Sequence, residues 1–310
     1  MLPTEILSKN ILISPLNWGM GHVARCIPLI DMFLKQNNTV FIACSKDQKE
    51  IFEFYFNQLE VTYINHNGYP FKFRGKGRFW LDMIASFRRL SKRKSIELSE
   101  VESLVSQNNI DFVISDHRYG FFTEKCTSIF MTHQLNLPVK GLFKLVQKLH
   151  EKEFRKFDFI WVLDDEESTF AGNLSRHSNN INVLYIGLLS RFSLYPKKTK
   201  IHPIVVIVSG PEPYAEHFFR EQLSLAINRK METIIISPKI YTNNINNSKI
   251  KVFCSENWLE KDEVIMKAKK IISRSGYSTI MDVLILKSDF EFVPTKGQAE
   301  QIYLSELYHN

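Results

Sequence analysis

Two glycine turns, far apart in the chain, carry the residues best suited to chemistry. In the first, Leu16-Asn17-Trp18-Gly19-Met20-Gly21-His22-Val23-Ala24-Arg25, Gly19 and Gly21 lead directly into His22. A neutral imidazole with a pKa of about 6.5 can accept a proton at neutral pH, but taken alone His22 reads as a histidine satisfied by hydrogen bonds in a helix cap. Arg25 lies about one helical turn further on, on roughly the same side. In the second turn, Ser273-Arg274-Ser275-Gly276-Tyr277-Ser278-Thr279, Gly276 lets the backbone approach a ligand closely. The first amides of a helix starting near Ser278 or Thr279 then favour an anion such as a diphosphate. Downstream, Thr295-Lys296-Gly297-Gln298-Ala299-Glu300-Gln301 forms a polar cluster. Between the two turns lie Asp116-His117-Arg118-Tyr119-Gly120 and Thr132-His133-Gln134, and Asp116 is a second candidate base.

These residues need strands and helices to hold them. Asn10 to Pro15 is an apolar, β-rich run, Val23 to Leu34 has a helical period, and Thr39 to Ala43 reads as a second strand. Strand, glycine turn, helix, strand is the opening unit of a nucleotide-binding fold. Ile51 to Leu59 has a helical pattern and Val61 to Ile64 a strand pattern. Strands at Asp111 to Ser115 and Ile129 to Met131 end at the two polar loops, which puts both loops at the carboxyl edge with His22. Phe159 to Leu163 closes this first sheet, and the acids Asp164 to Glu167 after it are read as structural. Gly187 to Pro203 has no clear period and contains two prolines and three lysines in its second half. A second sheet then starts at Ile204 to Val208, opens on Ser209-Gly210-Pro211, and continues through Thr233 to Ser237, Ile250 to Phe253, Lys270 to Ile272 and Phe290 to Val293. The expectation is an α/β chain of two Rossmann-like domains facing a cleft, 1–187 and 204–310, joined by a linker at 188–203.

Gly19-x-Gly21-x-x-Ala24 also satisfies the dinucleotide-binding fingerprint. That reading needs an acid at the end of the second strand for the ribose, and the residues there are Cys44-Ser45-Lys46. A dehydrogenase is therefore disfavoured.

The second turn and its polar cluster carry a resemblance. Arg274-Ser275-Gly276-Tyr277-Ser278-Thr279 with Asp282, followed by Pro294-Thr295 and Gly297-Gln298-x-Glu300-Gln301, resembles the donor-site motifs of GT-B glycosyltransferases. The likeness is to the family 28 group, which includes the N-acetylglucosaminyltransferase that completes lipid II. It implies that Arg274, Ser275, Gly276 and Thr279 surround the diphosphate of a UDP-sugar and that Asp282 holds the ribose. Gln298, Glu300 and Gln301 would read the sugar, Ser209 and Gly210 would close over the phosphate, and Trp258-Leu259 would lie at the base. The Gly-x-Gly-His turn is similar to the one that opens the acceptor domain, which implies His22 as the candidate base; Gly19, Gly21, Arg25, Arg118 and His133 are assigned to the acceptor side of the cleft without individual roles. The resemblance also implies a further strand and long helix past Gln301, so the C-terminal domain is expected to be shortened and its activity affected. No metal or cofactor is expected, the nucleotide sugar being a substrate.

The 310 residues suffice for two domains, and 44% hydrophobic with 24% charged residues is an ordinary globular composition. No apolar run approaches the roughly 20 residues of a membrane span, and the N-terminus lacks the order of a signal peptide. Four scattered cysteines, with no Cys-x-x-Cys pair, fit free thiols in a reducing cytoplasm. The net charge of +7 is localised: Tyr69 to Lys94 holds nine Lys/Arg against Asp82 alone, with six aromatic residues interleaved. Such a stretch suits an anionic membrane surface or single-stranded nucleic acid. The family resemblance favours the membrane, a lipid-linked acceptor and a cytoplasmic protein peripheral to the inner face; no nucleic acid is expected. The expected reaction is attack by an acceptor hydroxyl on the sugar's anomeric carbon. The alternatives are a nucleotide-sugar hydrolase or 2-epimerase on the same scaffold, and a shortened, non-catalytic binding protein.

Overall fold

The computed structural model describes residues 1–56, 61–70, 79–138, 144–176, 182–242, 245 and 247–309; the side chains of 79–88 and 144–145 are outside this description. The chain divides into two compact units, one of Met1–Phe71 and Met83–Leu189, the other of Lys72–Asp82 and Ser190–Asn310.

In the first unit, strands β1 (Asn10–Pro15), β2 (Thr39–Cys44), β3 (Val61–Asn65), β4 (Phe112–Asp116), β5 (Thr127–Thr132), β6 (Phe159–Val162) and β7 (Val183–Tyr185) form one sheet in the order β3-β2-β1-β4-β5-β6-β7. Every pairing is parallel. A parallel sheet is covered on both faces, which explains why β1, β4 and β5 are almost continuously buried instead of alternating. Helices α1 (Gly21–Lys35), α2 (Lys46–Phe56), α3 (Phe79–Asn108) and α4 (Lys144–Phe154) supply crossovers. The last third of α3 packs Val101 and Val105 against Leu12, Ala43 and Val113. The sheet does not close at β6 as the sequence reading expects. β7 adds one more strand, too short to give a period.

The second unit repeats the plan. Strands β8 (His202–Ile207), β9 (Thr233–Ile236), β10 (Ile250–Phe253), β11 (Ala268–Ser273) and β12 (Asp289–Phe292) run parallel in the order β10-β9-β8-β11-β12. Helix α5 (Tyr214–Arg229) buries Phe218 and Phe219 completely against Val206, Ile235 and Ile272, each ring contributing about 1.5–3 kcal/mol. Helices α6 (Trp258–Met266), α7 (Tyr277–Leu286) and α8 (Ala299–Leu307) complete it. Glu291, an odd residue for a buried strand, sits on the edge strand β12 and pairs with Lys270 at 2.8 Å and Arg229 at 3.4 Å.

Both sheets have a point where the strand order reverses, between β1 and β4 and between β8 and β11. Loops diverge there and leave a crevice at the carboxyl edge, the usual place for a ligand. The stretch expected as linker, 188–203, is in part packed structure. A 3-10 turn at Arg191–Leu194 is held by Arg191, which donates from Nε to Asp262 Oδ1 (2.8 Å) and from Nη1 to Asp282 Oδ2 (2.8 Å).

Candidate active site

The crevice of the first unit holds His22. Pro15 at the end of β1 is in register with Asp116 at the end of β4, and Leu16 N donates to Asp116 O at 3.1 Å. The chain turns through Gly19, whose φ of +75° favours glycine, and enters α1 at Gly21. That entry brings His22 Nδ1 to 2.8 Å from Asp116 Oδ2. Arg25, one turn on and buried, donates from Nε to Asp116 Oδ1 at 2.9 Å. Its Nη2 also donates to Asp116 Oδ1 and lies 2.9 Å from His22 Nδ1, and its Nη1 lies 3.4 Å from His133 Nδ1. Cys26 Sγ approaches Asp116 Oδ2 at 3.8 Å.

Two contacts compete at Nδ1: Asp116 Oδ2 at 2.8 Å can only accept, whereas Arg25 Nη2 at 2.9 Å can only donate. Arg25 already places Nε and Nη2 on Asp116 Oδ1, while Asp116 Oδ2 has only His22 and the weak Cys26 thiol as donors among the described residues, so the carboxylate decides the tautomer. A bare Nδ1 would face the lone pairs of a carboxylate oxygen at hydrogen-bond distance, which is repulsive. With the proton on Nδ1, His22 donates to Asp116, and Nε2 keeps the lone pair a base needs. Burial, then the charge of Arg25, push the His22 pKa down, with Asp116 opposing them; the ring is therefore neutral at pH 7. Burial pushes the Asp116 carboxyl up, but Arg25 and then His22 outweigh it and hold the group well below the usual carboxylate range.

Asp116 is accordingly not a second base. It is fully buried and accepts from His22 and Arg25, so it stays ionised and orients the imidazole. Arg118 is corrected as well. It is fully buried, donates from Nε to Glu97 Oε1 at 2.7 Å and from Nη2 to Asn67 O at 2.9 Å, and lines no open surface. His133 is brought to Arg25 as its loop position suggests. His117, in a left-handed conformation (φ +61°), contacts Thr132 Oγ1 at 3.0 Å, with its ring centroid 6.4 Å from that of His22.

In the second unit, the loops after β8 and β11 flank the crevice. Ser209 and Gly210 are exposed, and Gly210 has φ +108°. Gly276 caps α7 with extended backbone (φ −76°, ψ 137°), and a Cβ built there meets nothing within 4 Å. The space over the start of α7 is thus open. Helix geometry leaves the first amides of any such helix without intrahelical acceptors, an arrangement that favours anions. Thr279, half-buried, lies in the first turn, its amide donating to Gly276 O at 2.9 Å.

Other residues assigned to the donor prove to be braces. Ser275 is buried and donates from Oγ to Gln301 O at 2.7 Å, tying the turn to α8. Gln301 Oε1 accepts from Thr295 N at 2.8 Å. Arg274 lies over the Phe218 ring (4.2 Å to the centroid) and donates from Nη1 to Pro294 O (3.0 Å) and Val293 O (3.3 Å). Its Nε is buried with no hydrogen-bond partner among the described residues. The ribose role of Asp282 is corrected. Its oxygens accept from Ser190 Oγ (2.6 Å) and Arg191 (2.8 Å), because position 282 falls on the side of α7 that meets the Arg191 turn. Burial raises its pKa against the pull of Arg191. Trp258 and Leu259 start α6, and the amides of Leu259 and Glu260 are already bound by the side chain of Asn257, at 3.0 and 3.4 Å. The Leu259 amide is thus not open to a base. Gln298 is the N-cap residue of α8 without a side-chain cap bond, and Glu300 lies in its first turn.

Sequence reasoning missed Glu97. The available signal was spacing: Arg93, Glu97 and Glu100 recur at i, i+4 and i+7, putting charge on one face of α3. Of the basic stretch, 71–78 and the side chains through Arg88 lie outside the described residues. Tyr69 is buried against Glu97, Arg93 pairs with Glu100 (2.7 Å), and Lys94 pairs with Glu153.

No protein-family profile matches the sequence, and no curated protein does. Solved structures do match. A glycosyltransferase of kitacinnamycin is 12% identical at a TM-score of 0.68, covering 97% of this chain and 85% of that one. The spinosyn rhamnosyltransferase SpnG, complexed with thymidine diphosphate, is 11% identical at 0.63, with 96% and 83% covered. Phytolacca americana UGT2, complexed with UDP-2fluoro-glucose and pterostilbene, is 12% identical at 0.61, with 96% and 83% covered. At such identities the likeness is one of fold. The two parallel sheets and these neighbours together establish that the chain has the GT-B fold, two Rossmann-like units in one polypeptide.

Proposed function

We propose that this protein is a glycosyltransferase that moves a sugar from a nucleotide-sugar donor, a UDP-sugar in our reading, to an acceptor hydroxyl. The observation that carries this is His22 Nδ1 lying 2.8 Å from the buried, ionised Asp116; with the proton on Nδ1, Nε2 is left as a neutral base. In the reaction, the acceptor oxygen forms a bond to the anomeric carbon while its proton passes to His22 Nε2. The bond from that carbon to the diphosphate breaks, and the diphosphate leaves with the electron pair. In this reading the amides at the start of α7, under Gly276, stabilise the leaving charge. The unpartnered Nε of Arg274 adds positive charge beside that turn. Ser209, Gly210 and Thr279 complete the phosphate surroundings, and Gln298 and Glu300 face the sugar. The spinosyn enzyme and the Phytolacca protein, with their bound thymidine diphosphate and UDP-sugar analogue, support a nucleotide-diphosphate donor for the fold.

The finer reading is a cytoplasmic enzyme of family 28 type with a lipid-linked or cell-envelope acceptor, peripheral at an anionic membrane. It rests on the motif resemblance and on the charge gathered between Tyr69 and Lys94. The deciding experiment separates binding from chemistry. His22→Ala should leave UDP affinity within about twofold, while turnover on a UDP-sugar falls about a hundredfold or more, the contribution of a general base. Loss of UDP binding in this variant would place His22 in a nucleotide site instead. Full conversion of the donor by the parent protein without any acceptor would favour the hydrolase or 2-epimerase reading.

A further inference from the structure

Arg118 sits where the three loops around His22 have to be held in register. From Nη1 it donates to Pro15 O at 3.4 Å, at the end of β1. From Nη2 it donates to Asn67 O at 2.9 Å and to His66 Nδ1 at 3.1 Å, just past β3. Its main chain closes the turn after β4: Ser115 Oγ donates to Arg118 O at 2.6 Å, and Arg118 N donates to Ser115 Oγ at 3.0 Å. The counter-charge comes from Glu97 on α3, whose Oε1 accepts from Arg118 Nε and whose Oε2 accepts from Tyr69 OH. Tyr69 OH in turn accepts from Gly120 N at 3.2 Å. The fit leaves no slack: a Cβ on Gly120 would lie 2.6 Å from Glu97 Oε2 and 2.7 Å from Lys94 O. Tyr69 is also paired with Asn17, beside the glycine turn that leads to His22, through 2.8 and 3.0 Å bonds.

A buried ion pair is a poor way to gain stability, because apolar residues of the same volume often serve as well or better. What this pair supplies is direction. Its donors and acceptors fix the ends of β1, β3 and β4 at one point, two residues from Asp116. We propose that Arg118 and Glu97 are positioning residues for the His22–Asp116 pair: they fix the separation of the β1 and β4 loops and so keep His22 in its Nδ1–H form. This rests on the reading of His22 as the base.

The test reads the ring first and turnover second. The nitrogen-15 shifts of His22 at pH 7.5 report which ring nitrogen carries the proton. In the parent protein they should show the Nδ1–H form. Glu97→Gln should produce a mixture containing the Nε2–H form, and turnover should fall at least about tenfold, as small misplacements of catalytic groups do. UDP affinity should stay within about twofold. Glu97→Gln leaves Arg118 buried without its counter-charge, so Glu97→Gln with Arg118→Met, which carries no buried charge, is the variant chosen to fold. It should show the same mixed tautomer and the same loss. A folded double variant with a pure Nδ1–H ring, or with parental turnover, overturns the proposal. If the parent itself turns over no nucleotide sugar, or if His22→Ala keeps full turnover, the functional reading fails. The tautomer measurement still decides the positioning claim in either case.

Discussion

At the scale of single residues, the same pattern, a candidate base beside two possible charged partners, divides into distinct roles once distances are known. His22 and Asp116 are 2.8 Å apart, and burial and Arg25 act on them in a sense that makes one neutral and the other anionic. Because the His22 pKa is lowered, the acid limb of kcat/KM should have its midpoint below 6.5, where an unshifted imidazole would place it. A midpoint above 6.5 would contradict the environment described for the ring. Asp116→Asn should act twice. It removes the acceptor that fixes the tautomer, so turnover should fall about a hundredfold or more. It also leaves Arg25 buried without its counter-charge, at about 3–5 kcal/mol in urea denaturation. A stable, fully active Asp116→Asn protein would show that the pair serves neither purpose.

At the scale of elements, the anion site rests on one helix start. Gly276 has a negative φ and its missing Cβ faces open space, so Gly276→Val costs the folded protein little. It does fill the volume over the first amides of α7. UDP affinity should fall at least about tenfold, about 1.4 kcal/mol, with thermal stability close to the parent's. Unchanged affinity in calorimetry would move the nucleotide elsewhere. This element was legible in the sequence because apolar run, small-residue turn and helical period are all local signals. β1 and β10 likewise run over the residues their apolar patterns mark, and His22 and Asp116 could be placed at strand ends by topology alone. What local signals do not carry is the partner a polar side chain finds. Asp282 has a motif position that suggests a ribose, yet its neighbours Ser190 and Arg191 are about 90 residues away in sequence and belong to the supposed linker. Arg118 and Glu97, 21 residues apart in sequence, are brought together only by the fold. The amide of Leu259, at the start of a helix, is held by the Asn257 side chain two residues before it.

At the scale of the molecule, two distributions matter, one of surface charge and one of buried imidazoles. The basic stretch holds +8 between Tyr69 and Lys94, but Arg93 and Lys94 are engaged by Glu100 and Glu153 and offer little to a partner. The net charge of the stretch should still draw the protein to phosphatidylserine vesicles at low salt, with about 1 kcal/mol for each Lys or Arg that reaches the surface and release as salt screens them. Equal, negligible co-sedimentation with neutral and anionic vesicles would end the membrane reading.

Among the described residues, the buried imidazoles sit in the first unit. Burial, with Arg118 and Arg93 adding to it, lowers His66 to about 3, and burial lowers His150 to about 4. His117 and His22 shift in the same direction, burial again first. Unfolding returns each ring to a pKa of about 6.5, so below that pH the unfolded chain takes up protons that the folded one refuses. Stability is therefore whole above about pH 6.5 and is lost as pH falls toward the folded values, by about 1.4 kcal/mol per unit for each ring. From pH 7.5 to 5.5, His66 and His150 alone should remove about 3 kcal/mol, well before the carboxylates titrate. Hydrogen exchange separates the units: core amides of β1 and β4 should lose protection over this range. Those of β8 and β11 should change less, since His202, the one lowered histidine described there, is only half-buried. Equal protection of β1 and β4 at both pH values would mean that these rings take up protons in the folded state. The neutral surroundings inferred for His22 would then have to be given up with them.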